Sequence, residues 1–430
     1  MKITVVAMGK IGLPLAVQFA DKGHTVIGAD VNAETVRLVN EGVEPFPGEK
    51  DLGVKLKAAV DAGLLSATTD TASAVAESEA VVVVVPLFVD ENGVPDFGWM
   101  DAATQDIARG LKPGTLVSYE TTLPVGTTRN RFAPMLSEAS GLAAGKDFDL
   151  VFSPERVFTG RVFEDLRKYP KLVGGINEQS TKHGVEFYQQ VLDFDERNDL
   201  SQPNGVWDLG TSEASELAKL AETTYRDVNI GLANQFARFA ADNGINVYSV
   251  IEACNSQPFS HIHQPGIAVG GHCIPIYPRM YLWNDPAATV VRAAREANAQ
   301  MPSYVVDQLA TIHGSLAGAK VVVLGASYRG GVKETAFSGV FPTVAALKAQ
   351  GAEVFVHDPM YTDEELAHYG FDAYHLGEPT DAVIVQANHP EYASVSERDF
   401  PGVKTVIDGR RVLNAAHFDS TGVRLIGVSE

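Results

Sequence analysis

The sequence predicts an α/β protein with two Rossmann-like, doubly wound parallel-sheet domains joined by a central helical domain with a long helix. Three observations predict this architecture. A strand, a glycine turn, a helix and a second strand open the chain, residues 212–243 have helical apolar spacing, and the strand-to-glycine pattern returns at residues 320–325. At roughly 100–200 residues per domain, a chain of 430 residues also suits two or three domains.

The first domain is predicted at residues 1–204. Residues 2–9 form a β-branched run that ends at glycine, residues 11–22 have helical spacing, and residues 24–30 read as a second strand. Further apolar runs are continuous rather than alternating, which is typical of strands buried on both faces. These buried-strand candidates are residues 80–85, 115–119 and 149–152.

The central helical domain is predicted at residues 205–303 and the second α/β domain at 304–430. Polar residues 193–210 are expected to be a connection, and residues 212–243 one long helix. A Gly/Pro-rich loop at 257–278 precedes a second predicted helix at 287–313. The strands expected in the last domain are residues 320–324, 352–358, 381–385 and 405–408.

Composition narrows the function classes. With 34 Lys and Arg against 54 Asp and Glu, the formal net charge is −20, which argues against binding to nucleic acid. Two cysteines cannot form a disulfide scaffold, so a reducing compartment is expected. The longest apolar segment, residues 80–89, is half the length that a membrane helix needs. We expect a cytoplasmic protein with no membrane segment and no metal site.

The glycine turn after the first strand predicts a dinucleotide site. The three-glycine fingerprint has alanine at its first position, Ala7, but Gly9 and Gly12 remain for close approach to a pyrophosphate and for helix–strand packing. Asp30 ends the second strand, where a carboxylate binds a ribose 2′-hydroxyl and would repel a 2′-phosphate. The pattern therefore favours NAD over NADP.

A second motif is the loop at residues 266–275, which contains Gly270, Gly271, His272 and Cys273. Converging backbone amides and a neighbouring histidine can lower a thiol pKa and hold an oxyanion. A lone cysteine is also often a small buried hydrophobe. From these residues alone, nucleophile and buried filler are both open.

Three further segments could frame that thiol. Residues 119–128 and 153–156 each follow a predicted strand, and they could present hydroxyls and the Glu155 carboxylate at the sheet edge or serve only as turns and helix caps. On the long helix, polar residues three or four apart share one face, which could instead be a solvated stripe. Those residues are Ser212, Glu216, Lys219, Thr223 and Arg226.

Together these motifs resemble the nucleotide-sugar 6-dehydrogenases, the relatives of UDP-glucose and UDP-N-acetylmannosamine dehydrogenases. The resemblance runs from the first strand to Leu413 and includes the Gly-Gly-His-Cys loop, the helix motifs at 216–234 and the Asp-Gly-Arg at 408–410. Residues 301–306 are more similar to the branch that acts on N-acetylhexosamine nucleotides.

The resemblance implies oxidation of a sugar C6 alcohol to a carboxylate with two NAD and one water. It makes Cys273 the nucleophile that forms a thiohemiacetal and then a thioester, and Lys219 the oxyanion stabiliser. Glu155 and Thr122 would position the hydrolytic water. Asn229 matches the family's helix motif and is included with the catalytic residues, without an assigned step.

Binding residues follow from the same resemblance. Arg329 and Arg410 would hold the nucleotide diphosphate or the sugar, since arginine suits a forked grip on phosphate. A homodimer formed through the central helix is expected. The NAD site would comprise Gly9, Lys10, Ile11, Gly12, Asp30, Pro86, Thr122 and Glu155. The nucleotide-sugar site would comprise Arg156, Lys219, Thr223, Phe259, Gly270, Gly271, Tyr328, Arg329 and Arg410.

The chain departs from the family pattern at several positions. Tyr277 stands where the family carries Asp and is assigned a catalytic role, Thr223 replaces Asn, Phe259 ends a Gln-Pro-Phe in place of His-Pro-Arg, and residues 334–338 lack an arginine.

Two alternative functions stay open: a two-electron β-hydroxyacid dehydrogenase and a non-catalytic nucleotide-sugar-binding relative. Cys273 and the second α/β domain argue against the former.

Overall fold

The structure is a computed structural model that describes residues 1–90 and 93–427. The chain separates into two compact units, Met1–Ala221 and Glu222–Glu430, and the boundary falls inside one long helix. The three-domain division at 204 and 303 stays a prediction, and its last three residues lie outside the described residues.

In the described part of the first unit, the strands are β1 Lys2–Val6, β2 Thr25–Ala29, β3 Leu65–Thr68, β4 Ala80–Val83, β5 Phe88–Val89, β6 Pro95–Asp96, β7 Leu116–Tyr119, β8 Asp149–Phe152, β9 Lys171–Gly175 and β10 Val206–Thr211. Its helices are α1 Gly12–Asp21, α2 Ala33–Asn40, α3 Leu52–Asp61, α4 Thr71–Glu77, α5 Gly98–Gly110, α6 Ala133–Ser140, α7 Val162–Lys168 and α8 Glu178–Val191, with a π-helical turn at Thr128–Phe132. The long helix α9 spans Ser212–Asp242.

The second unit continues with α10 Val247–Asn255, α11 Tyr277–Asn284, α12 Thr289–Ala299, α13 Met301–His313, β11 Lys320–Leu324, α14 Val340–Ala349, β12 Glu353–His357, α15 Asp363–His368, β13 Asp372–Ala373, β14 Ala382–Val385, β15 Thr405–Asp408 and β16 Arg424–Leu425. Three short 3-10 helices lie at Pro390–Ser394, Glu397–Asp399 and Ala415–His417.

Each unit is organised around one sheet. The first has eight strands in the order β10-β9-β8-β7-β4-β1-β2-β3, and the second has six in the order β13-β12-β11-β14-β15-β16. Apolar side chains of β1, β4, β7 and β8 are buried, as their continuous hydrophobic runs predict. The predicted α/β class with two parallel sheets and a long helix is confirmed. Within the eight-stranded sheet, β8 and β9 pair antiparallel, and β5 and β6 form a separate two-stranded antiparallel sheet.

The two sheets repeat one local device. Ala7 and Gly325, directly after β1 and β11, both have positive φ, and each donates its amide to the last residue of the next strand. A carboxylate after that strand then binds the turn: Asp30 Oδ2 accepts from Met8 N at 2.7 Å, and Asp358 Oδ2 accepts from Ala326 N at 2.8 Å. Each turn is therefore fixed to the neighbouring strand.

Two sequence expectations are wrong. Residues 193–210 are not only a connection, because β10 begins at Val206 and pairs with β9; its polar side chains reflect an edge strand with one partner. The helix expected at 287–313 is two helices that meet at Gln300. Pro302 lies in the first turn of α13, where its missing N–H costs nothing, whereas inside a continuous helix it would remove a hydrogen bond.

Candidate active site

The turn between β1 and α1 has the shape that a dinucleotide needs. A Cβ added at Gly12 would lie 1.9 Å from the Ala7 carbonyl oxygen, so only glycine lets α1 pack this closely on the turn. A Cβ added at Gly9 would meet nothing within 4 Å, so Gly9 faces open space. The open side of the turn is therefore at Gly9 and the closed side at Gly12, as predicted from the fingerprint.

The N-terminus of α1 is suited to a pyrophosphate. No side chain caps the helix at Ile11, and its first turn contains no acidic residue. Backbone N–H groups and the helix dipole at such an end favour an anion. Asp30 lies beside the turn and holds it through the Met8 and Asn32 amides, at 2.7 and 2.8 Å. These residues fit NAD, which supplies the hydride acceptor when bound.

Several predicted site residues follow the carboxyl ends of neighbouring parallel strands. β4, β7 and β8 pair in parallel, so the residues after them lie at one edge of the sheet. Pro86 after β4 is exposed, Thr122 after β7 is buried, and Glu155 after β8 is mostly buried. Ligands of open α/β sheets bind at this edge.

A buried charge cluster lies at the same edge. Lys171 Nζ is 2.7 Å from Glu120 Oε2 and 2.6 Å from Glu155 Oε1. Tyr188 donates its hydroxyl to the other oxygen of Glu120, at 2.5 Å. Burial raises the pKa of Glu120 to about 7, against the lowering effect of Lys171. Burial opposes the charge on Lys171, but the two carboxylates outweigh it and raise the Lys171 pKa.

The antiparallel direction of β9 places Lys171 in this cluster. β8 runs toward Glu155, and β9 runs back beside it, with Phe152 opposite Gly174. The first residue of β9 therefore lies at the edge where β8 ends. Sequence reasoning missed Lys171, Tyr188 and the role of Glu120. The one available signal was a lysine that opens an otherwise apolar strand.

Glu216 on α9 holds the segment after Thr122. Its carboxylate accepts from the amides of Gly126 and Thr128, at 2.5 and 2.9 Å, and from the Thr128 hydroxyl at 2.7 Å. Burial raises the pKa of Glu216 to about 7, although these donors act in the opposite direction. The reading of this segment as a solvated turn is wrong.

The polar face of α9 is mostly buried. Ser212, Glu216, Lys219 and Thr223 are each less than 7% exposed. These four polar residues are therefore not solvated, and the alternative of a solvated charged stripe is wrong for them. A buried lysine needs a specific reason to be there, because burial of an ammonium is costly.

In the second unit, the loop that carries Cys273 packs on the segment after β11. Added Cβ atoms at Gly270 and Gly271 would lie 2.7 and 2.9 Å from Tyr328, so both glycines are required by this contact. The Gly271 amide donates to the Ala336 carbonyl at 2.9 Å. Cys273 itself is exposed, so the buried-filler interpretation is wrong. His272 Nε2 lies 3.6 Å from Glu334 Oε2.

Buried polar groups hold the start of the same loop. The Gly266 amide donates to Asn234 on α9 at 2.9 Å, and Asn234 donates to Asn298 on α12 at 2.8 Å. Arg410 donates to the carbonyls of Gln386 and Ala268, at 2.7 and 2.9 Å. The guanidinium therefore joins the β14 edge to the cysteine loop, and its predicted contact with phosphate is a proposal.

The other predicted residues of this unit lie as follows. Asn229 donates to the His261 carbonyl and accepts from the His263 amide, at 2.6 and 2.9 Å, which gives it a role in holding the loop. Tyr277 begins α11 and donates its amide to the Cys273 carbonyl at 2.9 Å. Arg329 and Phe259 are exposed, with Arg329 Nε 3.2 Å from the Tyr328 hydroxyl.

Arg156 completes the predicted substrate set and belongs to the first unit, where it donates to the Pro170 carbonyl at 3.2 Å. Among the residues that the structure describes, no helix is long and apolar enough to cross a membrane. Within those same ranges, no group of three or more His, Cys, Asp or Glu side chains could hold a metal ion.

A sheet whose first turn fits NAD, followed by a long helix and a second sheet, defines an NAD-dependent dehydrogenase with two α/β units. Comparison with known proteins narrows this class. Models of the UDP-glucose/GDP-mannose dehydrogenase family match in chain order: the NAD-binding domain at 1–192, the central domain at 213–300 and the UDP-binding domain at 322–415. The chain belongs to this family and is an NAD-dependent nucleotide-sugar dehydrogenase.

The relatives cover nearly the whole chain. It is 33% identical over 423 residues to a UDP-N-acetyl-D-mannosamine dehydrogenase of Pyrococcus horikoshii, which covers 96% of both chains. The solved structure of a UDP-D-ManNAc dehydrogenase from that organism has a TM-score of 0.86 at 30% identity and 99% coverage of both chains. A UDP-glucose dehydrogenase from Pyrobaculum islandicum also has 0.86, at 25% identity and 100% and 98% coverage.

The two glycines of the first turn give a matched pair of variants. Gly12→Ala forces a Cβ against the Ala7 carbonyl, so we expect a loss of roughly 1–3 kcal/mol in the free energy of unfolding. Gly9→Ala meets open space, so stability is expected to stay near wild type while NAD affinity falls. Urea unfolding and NAD titration check both. Equal destabilisation by the two substitutions would contradict the geometry.

Glu216 gives a pH prediction. Its folded pKa of about 7 exceeds the ordinary 4.5, so the folded chain holds a proton that the unfolded chain releases between these values. Stability should fall as pH rises from about 4.5 to 7, by at most roughly 3 kcal/mol from this group. Glu216→Gln should flatten that fall, measured by urea unfolding at pH 5 and 8. An unchanged difference between the two pH values would contradict the assignment.

Proposed function

We propose that this dehydrogenase oxidises the C6 hydroxyl of a nucleotide sugar to a carboxylate in two NAD-dependent steps, with Cys273 as the covalent nucleophile. The observation that carries the proposal is the setting of Cys273: an exposed thiol on a loop whose glycines pack against Tyr328. A rigid, accessible thiol is what nucleophilic catalysis needs and what a core filler lacks.

The first oxidation converts the C6 alcohol to an aldehyde, with the hydride passing to NAD and the hydroxyl proton leaving. The Cys273 thiolate then adds to the aldehyde carbon and forms a thiohemiacetal. With a second NAD as hydride acceptor, the thiohemiacetal would lose a hydride from that carbon and the proton of its hydroxyl to solvent, which leaves the thioester. Lys219 would stabilise the oxyanion, because a buried ammonium is worth far more beside a developing negative charge than one in water.

Hydrolysis of the thioester is assigned to Glu155 and Thr122. One Glu155 oxygen is held by Lys171, and the other, Oε2, has no hydrogen-bond partner within residues 1–90 and 93–427. Oε2 would take a proton from water as the water oxygen bonds to the thioester carbon. The C–S bond breaks, the Cys273 thiolate leaves, and the uronic acid is released. Tyr277 is proposed to act through its hydroxyl, in place of the family's Asp.

The substrate is proposed to be a UDP-N-acetylhexosamine, with UDP-N-acetyl-D-mannosamine first. The relatives with that name align over nearly the full chain, and residues 301–306 resemble the same branch. Arg410, Arg329 and Arg156 would provide cations for the diphosphate or sugar in a chain of net charge −20. A panel of UDP-, TDP- and GDP-sugars, scored for NADH per sugar, tests this. UDP-glucose is the competing substrate in this panel, because the chain is also similar to the UDP-glucose dehydrogenase of Pyrobaculum islandicum.

We also propose that the protein forms a homodimer through α9. Its proposed location is the cytoplasm. Tyr225, Leu232, Phe236 and Phe239 are 40–64% exposed and recur at helical spacing on one face of α9. Monomeric proteins seldom leave such a stripe in water. Light scattering with Phe239→Asp, compared with wild type, tests whether this face joins two copies.

Cys273→Ser should abolish uronate production while NAD and nucleotide-sugar binding stay near wild type, because serine forms no alkoxide at neutral pH. Cys254→Ser, at the other, partly buried cysteine, is the matched control and should retain turnover. Two, one or no NADH per sugar separates four-electron, two-electron and non-catalytic function. Wild-type uronate production by the Cys273 variant would exclude the covalent route.

Glu155→Gln should slow thioester hydrolysis more than hydride transfer, since it removes the base and keeps the shape. We expect a burst of two NADH per site, slow turnover at 1–10% of wild type (on the order of the 10²-fold worth of general-base catalysis), and a mass adduct on Cys273. A variant that shows neither burst nor adduct would assign Glu155 to structure alone.

A further inference from the structure

The Lys171 ammonium lies between two carboxylates in an almost dry setting. Its side chain is 4% exposed, that of Glu120 is fully buried, and that of Glu155 is 11% exposed. The Glu155 amide also donates to the Glu120 carbonyl at 3.2 Å, so the two acids are joined through the backbone as well. Three strand ends, those of β7, β8 and β9, therefore meet at one ammonium group.

The three groups are not equivalent. Both oxygens of Glu120 are engaged, one by Lys171 and the other by Tyr188, whose hydroxyl is also 2.7 Å from Ser118 Oγ. Only one oxygen of Glu155 is engaged, and its Oε2 points to no partner in the described chain. Both oxygens of Glu120 are thus occupied, whereas Glu155 Oε2 is a buried oxygen without a hydrogen-bond partner among the described residues.

We propose that Lys171 is a positioning residue for Glu155: its ammonium holds Glu155 Oε1 and so aims Oε2 at the hydrolytic water, while Glu120 anchors Lys171 from the opposite side. This rests on the proposed role of Glu155 in thioester hydrolysis. The step itself is unchanged, because the proton still passes from water to Glu155 Oε2. Lys171 contributes the direction of the base, because it holds the other carboxylate oxygen.

The charges explain why both partners are needed. Without Lys171, two neighbouring carboxylates would share a buried site with no cation, and one of them would take up a proton. If that proton binds Glu155, the base is lost. Without Glu120, the Lys171 ammonium would be held by the Glu155 carboxylate alone and would lose its anchor on the other side. The titratable neighbours on the packed elements are Glu120, Lys171 and Tyr188, and the Tyr188 hydroxyl is neutral because its pKa is raised by burial.

The test separates hydrolysis from hydride transfer. Wild type and Lys171→Met are mixed with NAD and UDP-N-acetyl-D-mannosamine, and NADH is followed by stopped flow. We expect the variant to keep a burst of two NADH per site, to lose at least tenfold in steady-state rate, and to accumulate a thioester on Cys273. Lys171→Arg should recover part of the rate, because it keeps the charge. Lys182→Met, an exposed lysine on α8, is the matched control.

Three results would overturn the proposal: wild-type turnover by Lys171→Met, a burst that falls in parallel with the steady state, or no recovery by arginine. If the burst and the steady-state rate fall together, Lys171 only holds the strands together and has no specific part in hydrolysis. Because Lys171→Met leaves two buried acids without a cation, Glu120→Gln/Lys171→Met is made as well. It removes one acid together with the lysine, and it should still accumulate the adduct. Wild-type hydrolysis by this double variant would also overturn the proposal.

The result for Glu155→Gln distinguishes failure of the Lys171 proposal from failure of the proposed function. If Glu155→Gln accumulates the adduct and Lys171→Met does not, the proposed function stands and Lys171 has no part in it. If neither Glu155→Gln nor Lys171→Met gives an adduct while Cys273→Ser still turns over, the covalent mechanism fails first.

Discussion

A buried ammonium has to be matched by carboxylates, and this constraint organises the edge of the first sheet at which β7 and β8 end. Lys171 opens β9, and its two partners follow β7 and β8. Desolvation makes any separation of these charges expensive, so the three strand ends are held in one arrangement although each continues into a loop. Glu216 does the same for the segment after Thr122 with three hydrogen bonds. Residues on loops thus gain the fixed positions that catalysis requires.

The second unit fixes its cysteine loop with hydrogen bonds to backbone amides and carbonyls rather than with a buried pair of opposite charges. Its cysteine loop is bound at Gly266 by Asn234 and at Ala268 by Arg410, and its glycines lie against Tyr328. The thiol is left exposed on a backbone that is held along its length. A loop in which most polar groups are already satisfied loses little further entropy when a substrate binds.

Sequence patterns predicted those parts that depend on neighbours in the chain. Residues 149–152 and 405–408 are strands at the expected bounds, because a continuous apolar run has one way to be buried in a parallel sheet. The glycine turn after β1 could be predicted as well, because its residues are also neighbours in the chain. Lys171 could not be predicted, because its partners are 51 and 16 residues away and only the reversal of β9 brings it there. The break between α12 and α13 at Gln300 was missed because one proline, Pro302, stands inside an otherwise helical pattern.

The two sheets share one turn device but continue from it differently. After β1 the chain enters α1 within residues 7–11, whereas after β11 it runs through residues 325–339 before α14 begins. The short turn leaves no freedom, since a single methyl at Gly12 would collide with the backbone. The longer segment is constrained in another way, because Tyr328 lies against the glycines of the cysteine loop and the Ala336 carbonyl accepts from the Gly271 amide. Within one architecture, the same turn is therefore fixed in one unit by its own helix and in the other by a loop that comes from elsewhere in the chain.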